Sequence, residues 1–299
     1  MNRDLFDEEL EMPDRTAGQR LNRLVGLDPI KAALATNATV LLDPSALRTW
    51  SAATHSSILP IVERFAERTP LFVLAGDVGT GKSTLAETFA QQVAIDRRIN
   101  ISVLRLSLRS RGTGAVGEMT RLLGEAFDEV IARGRNLRNG DAIVVIIDEA
   151  DAIAQSREFG QMHHEDRAGV NALIRGIDTV AAERRPILVL MCTNRLSALD
   201  PAVRRRAAAE FEFTRPNDAQ RLEVLRDGLV DCGLSPTELD KLVDLTGDTG
   251  RGYVYTYSDL VNRVIPAAVL KAFPDRPITI DIVADAIATN PPTPPFQNE

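Results

Sequence analysis

Gly76-Asp77-Val78-Gly79-Thr80-Gly81-Lys82-Ser83 fits the pattern G-x-x-x-x-G-K-[ST]. The apolar run Leu71–Ala75 stands directly before it, and TLAETFAQQVA follows with apolar residues at helical spacing. The motif therefore sits between a buried strand and a helix, which is the context it requires. Glycines let the backbone wind so tightly that consecutive N–H groups converge on one anion. The N-terminus of the following helix favours the same negative charge. Lys82 can reach the β- and γ-phosphates of a nucleotide such as ATP, and the Ser83 hydroxyl can ligate Mg²⁺. A chance glycine turn would not need this lysine and hydroxyl at fixed places.

A second apolar run, Ala142–Ile147, ends in Asp148-Glu149-Ala150-Asp151. Acidic residues at the carboxyl end of a central strand face the ligand crevice of an open α/β sheet. Asp148 is the expected carboxylate near Mg²⁺, acting through water. Glu149 is the candidate general base for the attacking water. A third run, Ile187–Cys192, leads into Thr193-Asn194-Arg195. Asn194 can hydrogen-bond both the γ-phosphate and that water. Downstream, Arg204-Arg205-Arg206 reads either as a solvated helix face or as the place of an arginine that acts on a neighbouring subunit's nucleotide.

Four strands, at 71–75, 102–106, 143–147 and 187–192, must alternate with helices to position these groups. That pattern predicts a parallel sheet with helices on both faces. FEFT at 211–214 reads as a short further strand. Before the loop, Asp43-Pro44-Ser45 starts one helix and His55–Arg68 reads as another. After Arg215-Pro216-Asn217 the pattern becomes all helical. Ser235-Pro236-Thr237-Glu238 is a capping box with proline at the first helical position, and further helices are expected over Ser258–Phe273 and after Ile280. Tyr253, Tyr255 and Tyr257 alternate, which predicts a shared face, packed between lid and core or stacked on a base or partner. The expected divisions are an extension over 1–22, a large α/β domain over 23–215, a helical lid over 216–289, and a proline-rich tail without order over 290–299.

The 299 residues carry 35 Lys and Arg against 42 Asp and Glu, a net charge of −7. That balance disfavours a general nucleic-acid binder. Two unpaired-looking cysteines, Cys192 and Cys232, support neither a disulfide framework nor a zinc site. The acidic start has no apolar leader, and no run approaches a membrane span, so the expectation is a cytoplasmic protein.

GDVGTGKS, IIDEAD, MCTN and LDPAVRRR, in this order, resemble the core of the AAA+ ATPases over about residues 23–288. The resemblance implies ATP hydrolysis with Mg²⁺, a hexameric ring, and ATP held by Gly76, Val78, Gly79, Thr80, Gly81, Lys82, Ser83 and Thr84. It also implies that Val25, Gly26 and Leu27 border the adenine. Arg206 is the best match to the arginine finger, with Arg205 as the alternative. DRAGVNALIRGID at 166–178, the Thr-Asn strand and Arg206-Ala207 are similar to the pachytene-checkpoint (thyroid-receptor-interacting protein 13) type. Members of that type remodel HORMA-domain proteins. Bacterial forms accompany cyclic-oligonucleotide synthases in anti-phage CBASS signalling.

Two stretches depart from the family. Arg109-Ser110-Arg111-Gly112-Thr113-Gly114-Ala115-Val116-Gly117 stands where a first pore loop carries an aromatic residue, and it has none. It reads either as a glycine-rich pore loop or as a surface connection. Phe159 with His163-His164-Glu165-Asp166 reads as a second pore-facing loop rather than a metal site. The lid arginine of the family falls on Leu260, which leaves Arg251 and Arg263 as substitutes. A DNA-associated ATPase, using Arg109 and Arg111, is the alternative function. A nucleotide-gated scaffold without hydrolysis would not need the set Lys82, Asp148, Glu149, Asn194 and Arg206.

Overall fold

A computed structural model describes residues 5–65, 67–107, 118–154 and 164–296. The chain forms two compact units. The first holds residues 1–22, 29–75 and 83–212; the second holds 23–28, 76–82 and 213–299.

The first unit is built on a six-stranded sheet. Its strands are β1 (Phe6–Met12), β2 (Leu71–Gly76), β3 (Asn100–Leu106), β4 (Asp141–Ile147), β5 (Ile187–Thr193) and β6 (Ala209–Phe213). Their order across the sheet is β1-β3-β4-β5-β2-β6. The pairs β3–β4, β4–β5 and β2–β5 are parallel. β2, β4 and β5 are almost wholly buried, as continuous apolar strands covered on both faces must be. Phe127 and Val130 of helix Glu118–Arg135 and Leu173 and Ile177 of helix His164–Glu183 pack on one face. Parallel pairing puts the carboxyl ends of β2, β4 and β5 at one edge: Ala75 pairs with Thr193, and Ile147 with Met191.

β1 is a strand that composition does not advertise. It runs antiparallel to β3, with Leu10 opposite Val103 and Met12 opposite Ile101. Leu10 and Met12 share one face by the period of two. An irregularity between Phe6 and Glu8 shifts the register, so Phe6, opposite Leu106, falls outside that alternation, while Asp7, Glu9 and Glu11 are exposed. Such acidic residues suit an edge strand. The helix started by Asp43-Pro44-Ser45 is Pro44–His55, ending at Ser56, which is left-handed; the one expected over His55–Arg68 is shorter, Pro60–Phe65. Pro60 disfavours helical backbone at Leu59, which separates them.

The second unit is helical. Its helices Asp218–Gly228, Pro236–Thr246 and Ile280–Thr289 accompany one continuous helical run from Tyr257 to Ala272. Asn217/Gln220, Ser235/Glu238 and Thr256/Asp259 all form reciprocal caps. Within the long run, Leu260–Val264 is a π-helical turn, in which the Ile265 N–H reaches back to Leu260 O. Pro266 follows at once. Proline has no N–H to give and crowds the carbonyl four residues back, so one widened turn absorbs the break. Tyr255 is fully buried and its hydroxyl donates to Ile287 O at 2.8 Å. Tyr257 belongs to a helix, so the tyrosine alternation stops at Thr256.

The proline-rich tail is held as far as Phe296. Thr293 donates its N–H (3.0 Å) and its hydroxyl (2.6 Å) to Asp259, and Arg263 bridges Asp259 and Pro291 O. Composition marks this stretch as unstructured because it lacks a core; two carboxylates anchor it instead, the buried Asp259 at Thr293 and Asp77, whose Oδ1 accepts from the Phe296 N–H at 3.3 Å. Asp259 is 1% exposed. Burial alone would raise its pKa, yet the hydrogen bonds from Thr293 and Thr256 hold it below the usual carboxylate value.

Candidate active site

The glycine loop belongs to the second unit. Gly79 has φ 76°, and a Cβ there would stand 2.7 Å from Thr256 Oγ1; at Gly76, with φ 153°, a Cβ would stand 2.0 Å from the carbonyl oxygen of Phe213. Backbone sign and close approach thus both demand glycine. Lys82 is 6% exposed, and its ammonium donates to the carbonyls of Gly76 and Asp77, each at 2.8 Å. The Thr80 hydroxyl, fully buried, braces the loop by donating to Asp77 O. Val78 is exposed at the loop's outer turn.

Two further contacts fix this loop within its unit. Arg215 Nε donates to Asp77 Oδ2 at 2.7 Å and its Nη1 to Val254 O at 2.6 Å, while the guanidinium lies over the Tyr253 ring at 5.3 Å. Ser258 N–H donates to Gly79 O at 3.0 Å. The linker residues Val25, Gly26 and Leu27 belong to the same unit, and Leu27 and Leu24 line the space beside Gly81. Gly26 O accepts from Gln220 Nε2 at 2.7 Å and from the Tyr257 hydroxyl. Burial pushes the Tyr257 phenol up to about 12, aided by the nearby Glu223, so it remains a donor at neutral pH.

The acidic strand ends belong to the first unit. Ser83 Oγ donates to Asp148 Oδ1 at 3.2 Å, and the Glu149 N–H donates to the same oxygen at 3.0 Å. Glu149 is exposed and left-handed, with φ 50°. A non-glycine residue held there costs on the order of 1–3 kcal/mol and persists only where its surroundings impose it. Asp151 Oδ1 accepts from Thr193 Oγ1 (3.1 Å) and from Asn194 N (3.4 Å), which joins the turn after β4 to the end of β5. Asn194 is half-buried, and so is Thr84. A serine hydroxyl beside a carboxylate is a hard oxygen pair of the kind that suits Mg²⁺.

Of the three consecutive arginines, Arg204 pairs with Glu210 and Arg206 forms a two-pronged pair with Asp178, at 2.6 and 2.9 Å. Hydrogen bonding to Asp178 strengthens the Arg206 guanidinium as a base. Arg205 is exposed. Asp200 caps the short helix Pro201–Arg204 that leads into them, and its N–H donates to Ala154 O at 2.7 Å.

In the lid, Leu260 is fully buried. Arg263 is engaged by Asp259 and Pro291, while Arg251 lies over the Tyr255 ring and turns back to Gly247 O. The lid groups that meet the glycine loop are Thr256 and Ser258, which sequence reasoning passed over. It also passed over Asp77, Arg215 and the bridging role of Asp151, although Asp151 stood inside the acidic run. The stretch Arg109–Gly117 and residues Phe159 and His163 lie outside the described residues, as do the side chains of His164, Glu165 and Asp166. Among the described residues no helix is long and apolar enough to cross a membrane.

The family described as "ATPase family associated with various cellular activities (AAA)" matches residues 72–215. The chain is an ATPase of this class and binds ATP. CD-NTase-associated protein 6 from Escherichia coli strain MS 115-1 is 46% identical over 98% of this chain and 96% of its own length. The protein of the same name from strain KTE188 is 40% identical over 97% of each. The chain therefore belongs to the CD-NTase-associated protein 6 family. A solved structure titled "Structure of E. coli MS115-1 HORMA:CdnC:Trip13 complex" contains a chain matching 99% of this one and 99% of its own length, at 45% identity and TM-score 0.93. Rhizobiales Trip13 matches 97% of this chain and all of its own, at 40% identity and TM-score 0.78.

Proposed function

We propose that the chain works as a hexameric ring in the cytoplasm and uses ATP hydrolysis to disassemble a HORMA-domain protein from a cyclic-oligonucleotide synthase, restraining anti-phage signalling. The observation that carries this reading is the E. coli homologue solved in a complex titled HORMA:CdnC:Trip13, which matches this chain from end to end. The functional division proposed with it is the extension 1–22, the ATPase domain 23–215, the lid 216–289 and the tail 290–299. The DNA-associated alternative gains no support from the relatives.

In this reading Gly76, Val78, Gly79, Thr80, Gly81, Lys82, Ser83 and Thr84 bind the phosphates, and Val25, Gly26 and Leu27 border the base. Mg²⁺, held by Ser83 and through water by Asp148, would offset charge on the β- and γ-oxygens. Asn194 orients a water, and Glu149 accepts its proton as the water oxygen bonds to the γ-phosphorus. The bond from that phosphorus to the β–γ bridging oxygen breaks, giving ADP and phosphate. Arg206 from a neighbouring subunit stabilises the developing charge, with Arg205 as the alternative donor.

The test is a trap. Tagged Glu149→Gln protein, held in ATP, is captured from its source cells and its companions are identified by mass spectrometry. Enrichment of a HORMA-domain protein, with or without its synthase, is expected. Enrichment only of DNA-bound proteins that vanish after nuclease treatment would overturn the reading.

A further inference from the structure

Asp148 has a partner that the mechanism above does not use. Arg105, on β3, is paired in register with Ile146 on β4. Asp148 lies two residues beyond Ile146, so by the strand period Arg105 and Asp148 project from the same face of the sheet. Ser83 and Glu87 lie four residues apart in helix Lys82–Thr88, which stacks them on one helical face. Each helix group meets one strand group. Ser83 Oγ donates to Asp148 Oδ1 at 3.2 Å, and Arg105 Nη1 donates to Glu87 Oε1 at 3.0 Å. Arg105 Nη2 then closes the ring to Asp148 Oδ2 at 3.3 Å.

The ring divides the two oxygens of Asp148. Oδ2 is taken by the guanidinium, and Oδ1 accepts from the Ser83 hydroxyl and the Glu149 N–H. Glu87 is 7% exposed and is gripped on its other oxygen by Arg20 of helix Arg15–Asn22. A solvated ion pair would be worth little. Here the anchor is buried, and the planar guanidinium fork spans two carboxylates, which an ammonium could not do in the same geometry.

We infer that Arg105 is a positioning residue for Mg²⁺: anchored on Glu87, it fixes the rotamer of Asp148 so that Oδ1 faces Ser83. This rests on the assignment of Ser83 and Asp148 to the metal. Partners that orient a metal-side ligand typically contribute 10–100-fold in metal affinity or activity.

The experiment measures the Mg²⁺ concentration for half-maximal binding of a fluorescent ATP analogue, in the Glu149→Gln background, and for half-maximal phosphate release in the otherwise wild-type chain. Ser83→Ala is the benchmark. Arg105→Ala is expected to raise both midpoints about tenfold. Arg105→Lys, which keeps charge but loses the fork, and Glu87→Gln, which weakens the anchor, should give smaller rises in the same direction. Melting temperatures without metal or nucleotide separate this from general loosening. If Arg105→Ala does not fold, Arg105→Lys and Glu87→Gln decide. Unchanged or lowered midpoints in the Arg105 variants, with a raised midpoint in Ser83→Ala, would overturn the inference alone. No change in Ser83→Ala would overturn the metal assignment beneath it.

Discussion

The glycine loop and the acidic strand ends are built from different materials. Around Gly76–Lys82 the work is done by backbone: positive φ values, a lysine satisfied by carbonyls, and lid groups pressed against Gly79. Around Asp148–Asp151 the work is done by charged side chains, of which Asp148 and Asp151 are fixed by partners on β3, β5 and the helix after the loop. A backbone cradle recognises a polyphosphate whatever its later fate. Placed carboxylates act when charge moves. Under the proposed function, the first region would carry mainly affinity and the second mainly turnover.

Arg206 sharpens the turnover side most. As a finger acting on a neighbour's nucleotide, its loss in Arg206→Ala should cut kcat by about 10³–10⁵-fold while leaving ATP affinity near wild type. Arg205→Ala should cost far less. Phosphate-release kinetics on the two variants check this, and a reversed ranking would move the finger to Arg205. Gly79→Ala probes the affinity side. Forcing a Cβ into left-handed backbone costs about 1–2 kcal/mol, before any shift of Thr256. ATP binding should weaken about tenfold or more, read by equilibrium titration; unchanged affinity would break the claim that backbone conformation carries recognition.

A smaller effect should come from the lid's buried anchor. Asp259→Asn removes the charge that binds Thr293, Thr256 and Arg263, and should cost about 1–3 kcal/mol of lid stability in denaturant unfolding. Its folded pKa is depressed, so the contribution is complete above the ordinary value of 3.8 and fades as pH falls through the lower folded value. The variant should therefore show a flatter stability profile below about pH 4. A parallel loss of stability in both proteins would remove Asp259 from that role.

The residues of the glycine loop, the acidic run and Asn194 could be named from the sequence as candidates because contiguous motifs carry their own context. Buried parallel strands were legible because burial on two faces leaves unbroken apolar runs. The partners were not. Arg105 with Glu87, Asp151 with Thr193, and Arg215 with Asp77 join residues distant in the chain, and nothing local marks an arginine as structural rather than solvated. β1 escaped because its acidic residues outweigh the short alternation of Leu10 and Met12, and a register shift separates Phe6 from them. The tail escaped because its order depends on carboxylates far off in the chain, Asp259 and Asp77.

The most direct measurement sets ATP binding beside phosphate release for wild type, Lys82→Ala and Glu149→Gln. Lys82→Ala should lose tight ATP binding and, with it, turnover. Glu149→Gln should bind ATP as the wild type does while its turnover falls about 10²–10⁴-fold. ATP binding undisturbed in Lys82→Ala, or near-normal hydrolysis in Glu149→Gln, would contradict the division of labour between the two regions.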